Sequence, residues 1–142
     1  MSSTENKAVV ARLYDALYRK DADGVGALFA ADGVYTDVGS PADDVARGPA
    51  GVAARLRPVF DGVELSDKDR RTYADGDTVV TEHVEVWRWR TGESVEFPIA
   101  SVHEIRDGRI VRWLDYWDLQ TLMNAAPGWW VEQIVAAYAP PS

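Results

Sequence analysis

The sequence predicts an α+β fold, with helices first and an antiparallel sheet after them. Apolar residues recur at helical spacing over 5–20, whereas apolar and polar residues alternate with a period of two from residue 62 onward. Hairpin-type turns separate the later segments; they are Asp75-Gly76-Asp77, Thr91-Gly92 and Asp107-Gly108. Helices followed by a run of hairpin-connected strands are typical of this class.

Helices dominate the first half. Its predicted elements are, in order, a helix at 5–20, a short helix at 22–30, a strand at 34–38, a polar loop at 39–47 and a helix from residue 48. Ser2 and Glu5 fit a capping box at the first helix. Pro49 suits the first turn of the third helix, because a helix leaves its first backbone N–H groups unpaired.

Strands dominate the second half. Its predicted elements are strands at 62–73, 78–90, 94–106 and 109–117, a short helix at 119–124 and a final helix or packed tail at 129–138. We expect a single domain over residues 1–142, because one domain commonly has 100–200 residues. Its core is predicted in 5–124 and its C-terminal tail or helix in 125–142.

The composition excludes several kinds of function. The chain has a net charge of −8, which disfavours nucleic acid and anionic lipid as partners. It has no cysteine and two histidines, so we expect no disulfide, no metal site and no cofactor. No segment approaches the ~20 apolar residues of a membrane span, and the N-terminus does not resemble a signal peptide. We therefore expect a soluble, cytoplasmic protein whose chemistry depends on carboxylates.

Alternate residues of a strand share a face, and several predicted faces mix apolar and ionisable side chains. The segment 78–90 places on one face Val79, Thr81, His83, Glu85, Trp87 and Trp89. One face of the segment 94–106 carries Val95, Phe97, Ile99, Ser101, His103 and Ile105. One face of the segment 109–117 carries Val111, Trp113, Asp115 and Trp117. Tyr35 and Asp37 share a face of the strand near residue 35.

Asp115 lies between two tryptophans on a face that is otherwise apolar. Burial raises a carboxyl pKa, and a cationic His83 between Asp115 and Glu85 lowers it. Two carboxyl groups with different pKa values suit general acid–base catalysis, and Tyr35 and Asp37 could form hydrogen bonds at the same centre. The predicted pocket lining consists of Trp87, Trp89, Trp113, Trp117, Phe97 and His103.

Simpler interpretations remain open. A His-x-Glu pair is common on a solvated strand face, and Asp115 could be bonded only to a loop backbone. His103 is a candidate core histidine, and Trp129 and Trp130 are candidate packing or dimer contacts. We expect most of the 23 acidic residues on the surface; examples are Asp43, Asp44, Asp67 and Asp69.

Two stretches of the sequence resemble the limonene-1,2-epoxide hydrolase family. That family shows T-E-R-V-D-V, a T-G turn and R-D-Y-F-D-L, and this chain has TEHVEV at 81–86, TG at 91–92 and LDYWDL at 114–119. The family's Tyr-x-Asn is matched by Tyr35-Thr36-Asp37, and the glycine before its third helix by Gly48. The resemblance covers residues 6–124.

The resemblance implies the cone-shaped fold of nuclear transport factor 2 and SnoaL-like proteins, an α+β barrel of the cystatin-like type. In that fold, N-terminal helices pack on a strongly curved antiparallel or mixed sheet that encloses a pocket. It also implies opening of a small hydrophobic epoxide, of polyketide or terpene type, without a cofactor. Asp115 would be the base that activates water and Glu85 the acid. His83 would bridge them, while Tyr35 and Asp37 position the water.

Three of these positions depart from the family pattern. His83 replaces an arginine and, unlike arginine, can lose its charge near neutral pH. Glu85 replaces an aspartate, and Asp37 replaces an asparagine, which adds a third acid. We therefore keep two alternatives: an epoxide-opening or polyketide cyclase or isomerase, and a non-catalytic binding or dimerisation module. The apolar face of Val80, Val84 and Val86 predicts a homodimer.

Overall fold

The computed structural model describes residues 2–41 and 43–138, so residue 42 of the predicted loop and residues 139–142 of the predicted tail lie outside it. The described helices are α1 (Ser3–Tyr18), α2 (Ala22–Gly26), α3 (Gly48–Phe60), α4 (Leu119–Ala125) and α5 (Gly128–Tyr138). The strands are β1 (Phe29–Asp37), β2 (Ala46–Arg47), β3 (Val63–Asp75), β4 (Thr78–Trp89), β5 (Ser94–Arg106) and β6 (Arg109–Trp117). Across these ranges, the helices are too short or too polar to span a bilayer.

In the described part of the chain, the strands form one curved sheet in the order β2-β1-β6-β5-β4-β3. β1 pairs in parallel with β6, and the other neighbouring pairs are antiparallel. The predicted α+β class and the curved mixed sheet with helices are confirmed. The sheet is not closed into the barrel that the resemblance implied, because β2 and β3 remain two separate edges.

The predicted helix and strand order is confirmed, with two local corrections. The capping box at α1 is formed: the Ser2 hydroxyl accepts from the Glu5 backbone N–H at 3.1 Å, and Glu5 accepts from the Ser2 N–H at 3.3 Å. The second helix is shorter than predicted, since Phe29 already begins β1. The loop at 39–47 ends in the short strand β2, which the polar sequence did not indicate.

Alternate side chains of β4 and β5 point into the core, as the period of two predicts. On β4, every residue of the predicted face from Val79 to Trp89 is buried. The face predicted for β6 is wrong at Val111. A bulge opposite Glu104 and Ile105 shifts the alternation, so that Ile110 takes the buried position before Trp113.

Candidate active site

A cavity of about 290 Å³ lies between the inner face of the sheet and helices α3, α4 and α5. Apolar and aromatic side chains form most of its wall. Four of the predicted lining residues contribute to it, namely Trp87, Trp113, Trp117 and Phe97. Trp130 of α5 also lines the cavity, and its indole N–H donates to the Val59 carbonyl at 3.2 Å. The C-terminal helix thus forms part of the cavity wall.

Two predicted lining residues are not part of this wall. Trp89 is buried behind it, with its ring 6.0 Å from that of Trp87 and 5.6 Å from that of Trp130. His103 is fully buried beneath Trp113; its Nδ1 lies 3.0 Å from the Val79 carbonyl. Burial lowers the pKa of His103 to about 4, which leaves the ring neutral at physiological pH. Neither of these two residues lies on the cavity wall, and His103 lies in the core, as its simpler interpretation expects.

The sheet register brings Asp37, Asp115 and Ser101 into one row. Asp37 on β1 pairs with Asp115 on β6, which in turn pairs with Ser101 on β5. The Ser101 hydroxyl donates to Asp115 Oδ1 at 2.6 Å, and the Tyr35 hydroxyl lies 3.2 Å from Asp115 Oδ2. Asp115 therefore forms hydrogen bonds with side chains of the site. The alternative, a carboxylate that is hydrogen-bonded only to a loop backbone, does not describe it.

Asp115 and Glu85 are both buried, and both line the cavity. Burial and, to a smaller extent, the charge of Asp37 raise the pKa of Asp115 to about 7. Burial and, to a smaller extent, the charge of Asp115 raise the pKa of Glu85 to about 8. Because these carboxyl groups repel each other's charge, they favour a state in which one is ionised and the other protonated.

Tyr35 links Asp115 to the third acid of the site. Its hydroxyl donates to Asp37 Oδ1 at 2.8 Å, and the Trp117 indole N–H donates to the same oxygen at 3.1 Å. Burial raises the pKa of Asp37, while these hydrogen bonds and the cation of Arg55 oppose the rise. The structure thus brings together four of the five predicted catalytic residues, which are Asp115, Glu85, Tyr35 and Asp37.

The predicted bridge through His83 is not formed. His83 is buried, but within residues 2–41 and 43–138 it makes no hydrogen bond with Asp115 or Glu85. Its Nδ1 lies 2.9 Å from Asp67 Oδ2 instead. Asp67 lies directly opposite Glu85 on β3, and a bulge after Lys68 brings in Arg70, which donates to Asp67 at 2.7 and 3.1 Å. Hence His83 pairs with Asp67 and does not bridge the two carboxyl groups.

Sequence reasoning missed the environment of two acids and one cation. Asp67 was expected on the surface, but its side chain is 10% exposed; although burial opposes it, hydrogen bonds from His83 and Arg70 lower its pKa to about 2. Asp44 lines the cavity mouth and pairs with Arg55 of α3. No periodic pattern marks Arg55, whereas the pairing of Ser101 with Asp115 could have been found by aligning the predicted strands.

The described residues contain no cluster of three or more His, Asp or Glu side chains arranged to hold a metal ion. The polar groups that line the cavity include four carboxyl groups, the phenols of Tyr35 and Tyr138, the hydroxyl of Ser40 and the guanidinium of Arg55. Such groups can transfer protons and orient a water molecule within an apolar enclosure.

The fold is that of a SnoaL-like protein. The model of the SnoaL-like domain matches residues 10–113, and the chain belongs to that family. The predicted resemblance to limonene-1,2-epoxide hydrolases is confirmed as well.

Similarity to epoxide hydrolase of Mycobacterium tuberculosis is found both in sequence and in structure. The chain is 34% identical to epoxide hydrolase EphG over 110 residues, which cover 78% of this chain and 71% of EphG. The solved structure of an LEH-like epoxide hydrolase superimposes with a TM-score of 0.73 at 31% identity, covering 94% of this chain and 95% of that one. A candidate polyketide cyclase from Xanthomonas campestris gives a TM-score of 0.77 at 24% identity, covering 87% of this chain and 97% of the other. That last likeness shows the fold alone.

Proposed function

We propose that the protein is an epoxide hydrolase that opens a small hydrophobic epoxide with water and without a cofactor. The observation that carries this proposal is the pair of buried carboxyl groups, Asp115 and Glu85, in one aromatic-lined cavity. Burial raises the pKa of both groups into the neutral range, where a carboxyl group can either accept or donate a proton. The sequence and structural similarity to epoxide hydrolase of Mycobacterium tuberculosis supports the same reaction.

Asp115 is assigned as the base, and Glu85 as the acid, because the pKa of Glu85 is the higher of the two. Ionised Asp115, held by Ser101, takes a proton from water as the water oxygen bonds to one epoxide carbon. The carbon–oxygen bond of the ring breaks, and the epoxide oxygen receives the proton of Glu85. The products are a diol, a protonated Asp115 and an ionised Glu85. Proton transfer of this kind contributes about 10²–10⁴-fold to a rate.

Tyr35 and Asp37 complete the polar end of the cavity. Both lie next to Asp115, so a water molecule that hydrogen-bonds to Asp115 can also contact them. We assign them to positioning that water. His83 receives no step in the reaction, because its ring faces Asp67.

The cavity favours a small substrate. Its volume of about 290 Å³ is at the lower end of the roughly 300–1,000 Å³ of ligand pockets. Trp87, Trp113 and Trp117 offer apolar contact area, while the acids lie at one end. A compact cyclic or terpene-type epoxide fits this shape and polarity better than a polycyclic or long chain.

Turnover of a panel of cyclic-alkene and terpene epoxides, followed as diol formation, tests the proposal. Asp115→Asn and Glu85→Gln are expected to lose at least about 100-fold in kcat/KM, since each lacks a proton-transfer group. Glu82→Gln is the matched control, because Glu82 lies on the same strand and is exposed. No turnover by the unaltered protein across the panel, or an Asp115→Asn variant as active as the parent, would refute the proposal.

A cyclase is the second candidate, and the orientation of His83 favours it. Without a cation between the two carboxyl groups, the site differs in charge from the pattern of the hydrolase family, and an internal hydroxyl could replace water. Products formed in heavy-oxygen water separate the two reactions. A diol that carries the label indicates hydrolysis, whereas an unlabelled cyclic ether or isomer indicates a cyclase.

A binding module is the third candidate, and NMR titration distinguishes it. Carboxyl resonances of Asp115 and Glu85 that titrate near the ordinary pKa values of 3.8 and 4.5 would favour simple binding over catalysis. Titration in the neutral range supports an acid–base role.

We also propose a homodimer formed through the outer valine face, defined as Val80, Val84 and Val86. These side chains are half-buried on the side of β4 away from the cavity. An apolar strip on the middle of a sheet face is typical of a surface that pairs with a second copy.

A further inference from the structure

A chain of hydrogen bonds leads away from the buried base. Asp115 Oδ2 lies 3.2 Å from the Tyr35 hydroxyl, and that hydroxyl donates to Asp37 Oδ1 at 2.8 Å. Exposure rises along this chain, because Asp115 and Tyr35 are buried, whereas Asp37 is half-buried. The chain therefore runs from the interior towards the surface.

Asp37 faces two openings. It lines the main cavity, and it also lines a neighbouring depression of about 200 Å³ formed by the segment after β1 and the start of α4. Val38, Ser40 and Gln120 are among the other residues of this depression. Asp37 can thus exchange a proton with solvent while a substrate fills the main cavity.

The hydroxyl of Tyr35 has one proton but two carboxyl neighbours. The shorter distance, to Asp37, indicates that the proton points there, which leaves an oxygen lone pair facing Asp115. This arrangement is complete when Asp115 carries a proton of its own and donates it to Tyr35. Asp115 is in that state after it has taken a proton from water.

We propose that Tyr35 and Asp37 form a proton path that returns the buried base Asp115 to its ionised state by carrying its proton to solvent. In one concerted step, protonated Asp115 gives its proton to the Tyr35 oxygen, and the Tyr35 O–H gives its own to Asp37. Tyr35 is neutral before and after this step. Asp37 then releases the proton to water, and Glu85 takes up a proton for the next turnover. The inference rests on the proposed function for its role in a catalytic cycle.

The cation of Arg55 favours loss of a proton from Asp37, whereas burial and the negative charge of Asp44 favour its retention, so Asp37 can both accept and release a proton. Arg55 Nη1 lies 4.0 Å from Asp37 Oδ2, and Arg55 also pairs with Asp44, which is 48% exposed. Tyr35 contacts Asp37 directly through a hydrogen bond, and Asp115 is connected to Asp37 through Tyr35. An asparagine, which the epoxide hydrolase family has at this position, could make similar hydrogen bonds but could not accept the proton.

Proton exchange at Asp115 tests the path without any turnover. With aspartate labelled at its carboxyl carbon, the Asp115 resonance at its titration midpoint is expected to be a single sharp line in the unaltered protein. In Asp37→Asn and Tyr35→Phe the line is expected to broaden by several-fold, because the proton has lost its route. A small buffer acid should sharpen it again. Asp32→Asn, which changes an exposed aspartate on the same strand as Asp37, is the matched control and should stay sharp; sharp lines in Asp37→Asn as well would overturn the path.

A second measurement addresses the catalytic cycle. If the protein hydrolyses epoxides, steady-state turnover of Asp37→Asn should rise at least twofold as a small buffer is increased at constant pH, whereas that of Asp32→Asn should not. A loss of rate in Asp37→Asn that no buffer restores would show that Asp37 only positions water, and would overturn the path. Absence of turnover in the unaltered protein refutes the proposed function instead, and the line-shape measurement still decides the path.

Discussion

Replacing Glu85 with glutamine is expected to stabilise the fold, and increasingly so as the pH rises. Burial and the charge of Asp115 raise the pKa of Glu85 from 4.5 to about 8. The folded state therefore binds more protons than the unfolded state between these values, so its stability falls as the pH rises through this window. Each pKa unit corresponds to about 1.36 kcal/mol, so the full penalty above pH 8 is about 5 kcal/mol.

Urea unfolding of the parent and of Glu85→Gln at several pH values measures this penalty. The advantage of the variant in free energy of unfolding is expected to grow by about 3 kcal/mol between pH 5.5 and pH 9. Glu82→Gln serves as the control, because Glu82 lies on the same strand but is exposed, so its ionisation carries no cost of burial. Parallel stability curves for the parent and Glu85→Gln would refute the idea that burial keeps Glu85 protonated.

Three further changes probe other contacts. Ser101→Ala removes the 2.6 Å hydrogen bond to Asp115, worth about 1.5–3 kcal/mol for a charged acceptor, so the acid limb of kcat/KM should move up by about 1–2 pH units. Gly62→Ala should lower the free energy of unfolding by at least about 1 kcal/mol, because Gly62 has a φ of +81° and its Cβ would lie 2.5 Å from the Trp129 ring. Gly76→Ala, with a φ of +60° but open space around it, should lose less in the same thermal melts; equal losses would argue against the Trp129 contact. Sedimentation should show a species of twice the chain mass, and a lysine in the outer valine face should shift it to monomer; a monomer at micromolar concentration in the parent would exclude the dimer.

The strand pattern of this protein could be predicted from its sequence because the faces of β4 and β5 alternate without interruption. Each second residue from Val79 to Trp89 is buried, as a pleated strand half-facing a core requires. The same logic failed on β6 at Val111, because a bulge adds a residue to one strand and reverses the phase. A bulge leaves no clear mark in the pattern of apolar residues.

The site could be predicted only in part. Asp115 stands out because two tryptophans flank it on an apolar face, but its meeting with Asp37 depends on the parallel pairing of β1 with β6, which no local pattern reveals. The orientation of His83 depends on Asp67 of a neighbouring strand. The family resemblance placed Asp37 and Asp115 in one site. It also implied that His83 bridges Asp115 and Glu85, whereas His83 pairs with Asp67.

The pH dependence of kcat/KM for epoxide hydrolysis tests the central claim most directly, since it reports the ionisation of the free enzyme's acid and base. A base with a pKa of about 7 in Asp115 and an acid with a pKa of about 8 in Glu85 predict a narrow bell centred between these values. The alkaline limb should disappear in whatever activity Glu85→Gln retains. A profile that is flat from pH 6 to pH 9, or a bell unchanged in Glu85→Gln, would contradict the assignment of this pair as the acid and base.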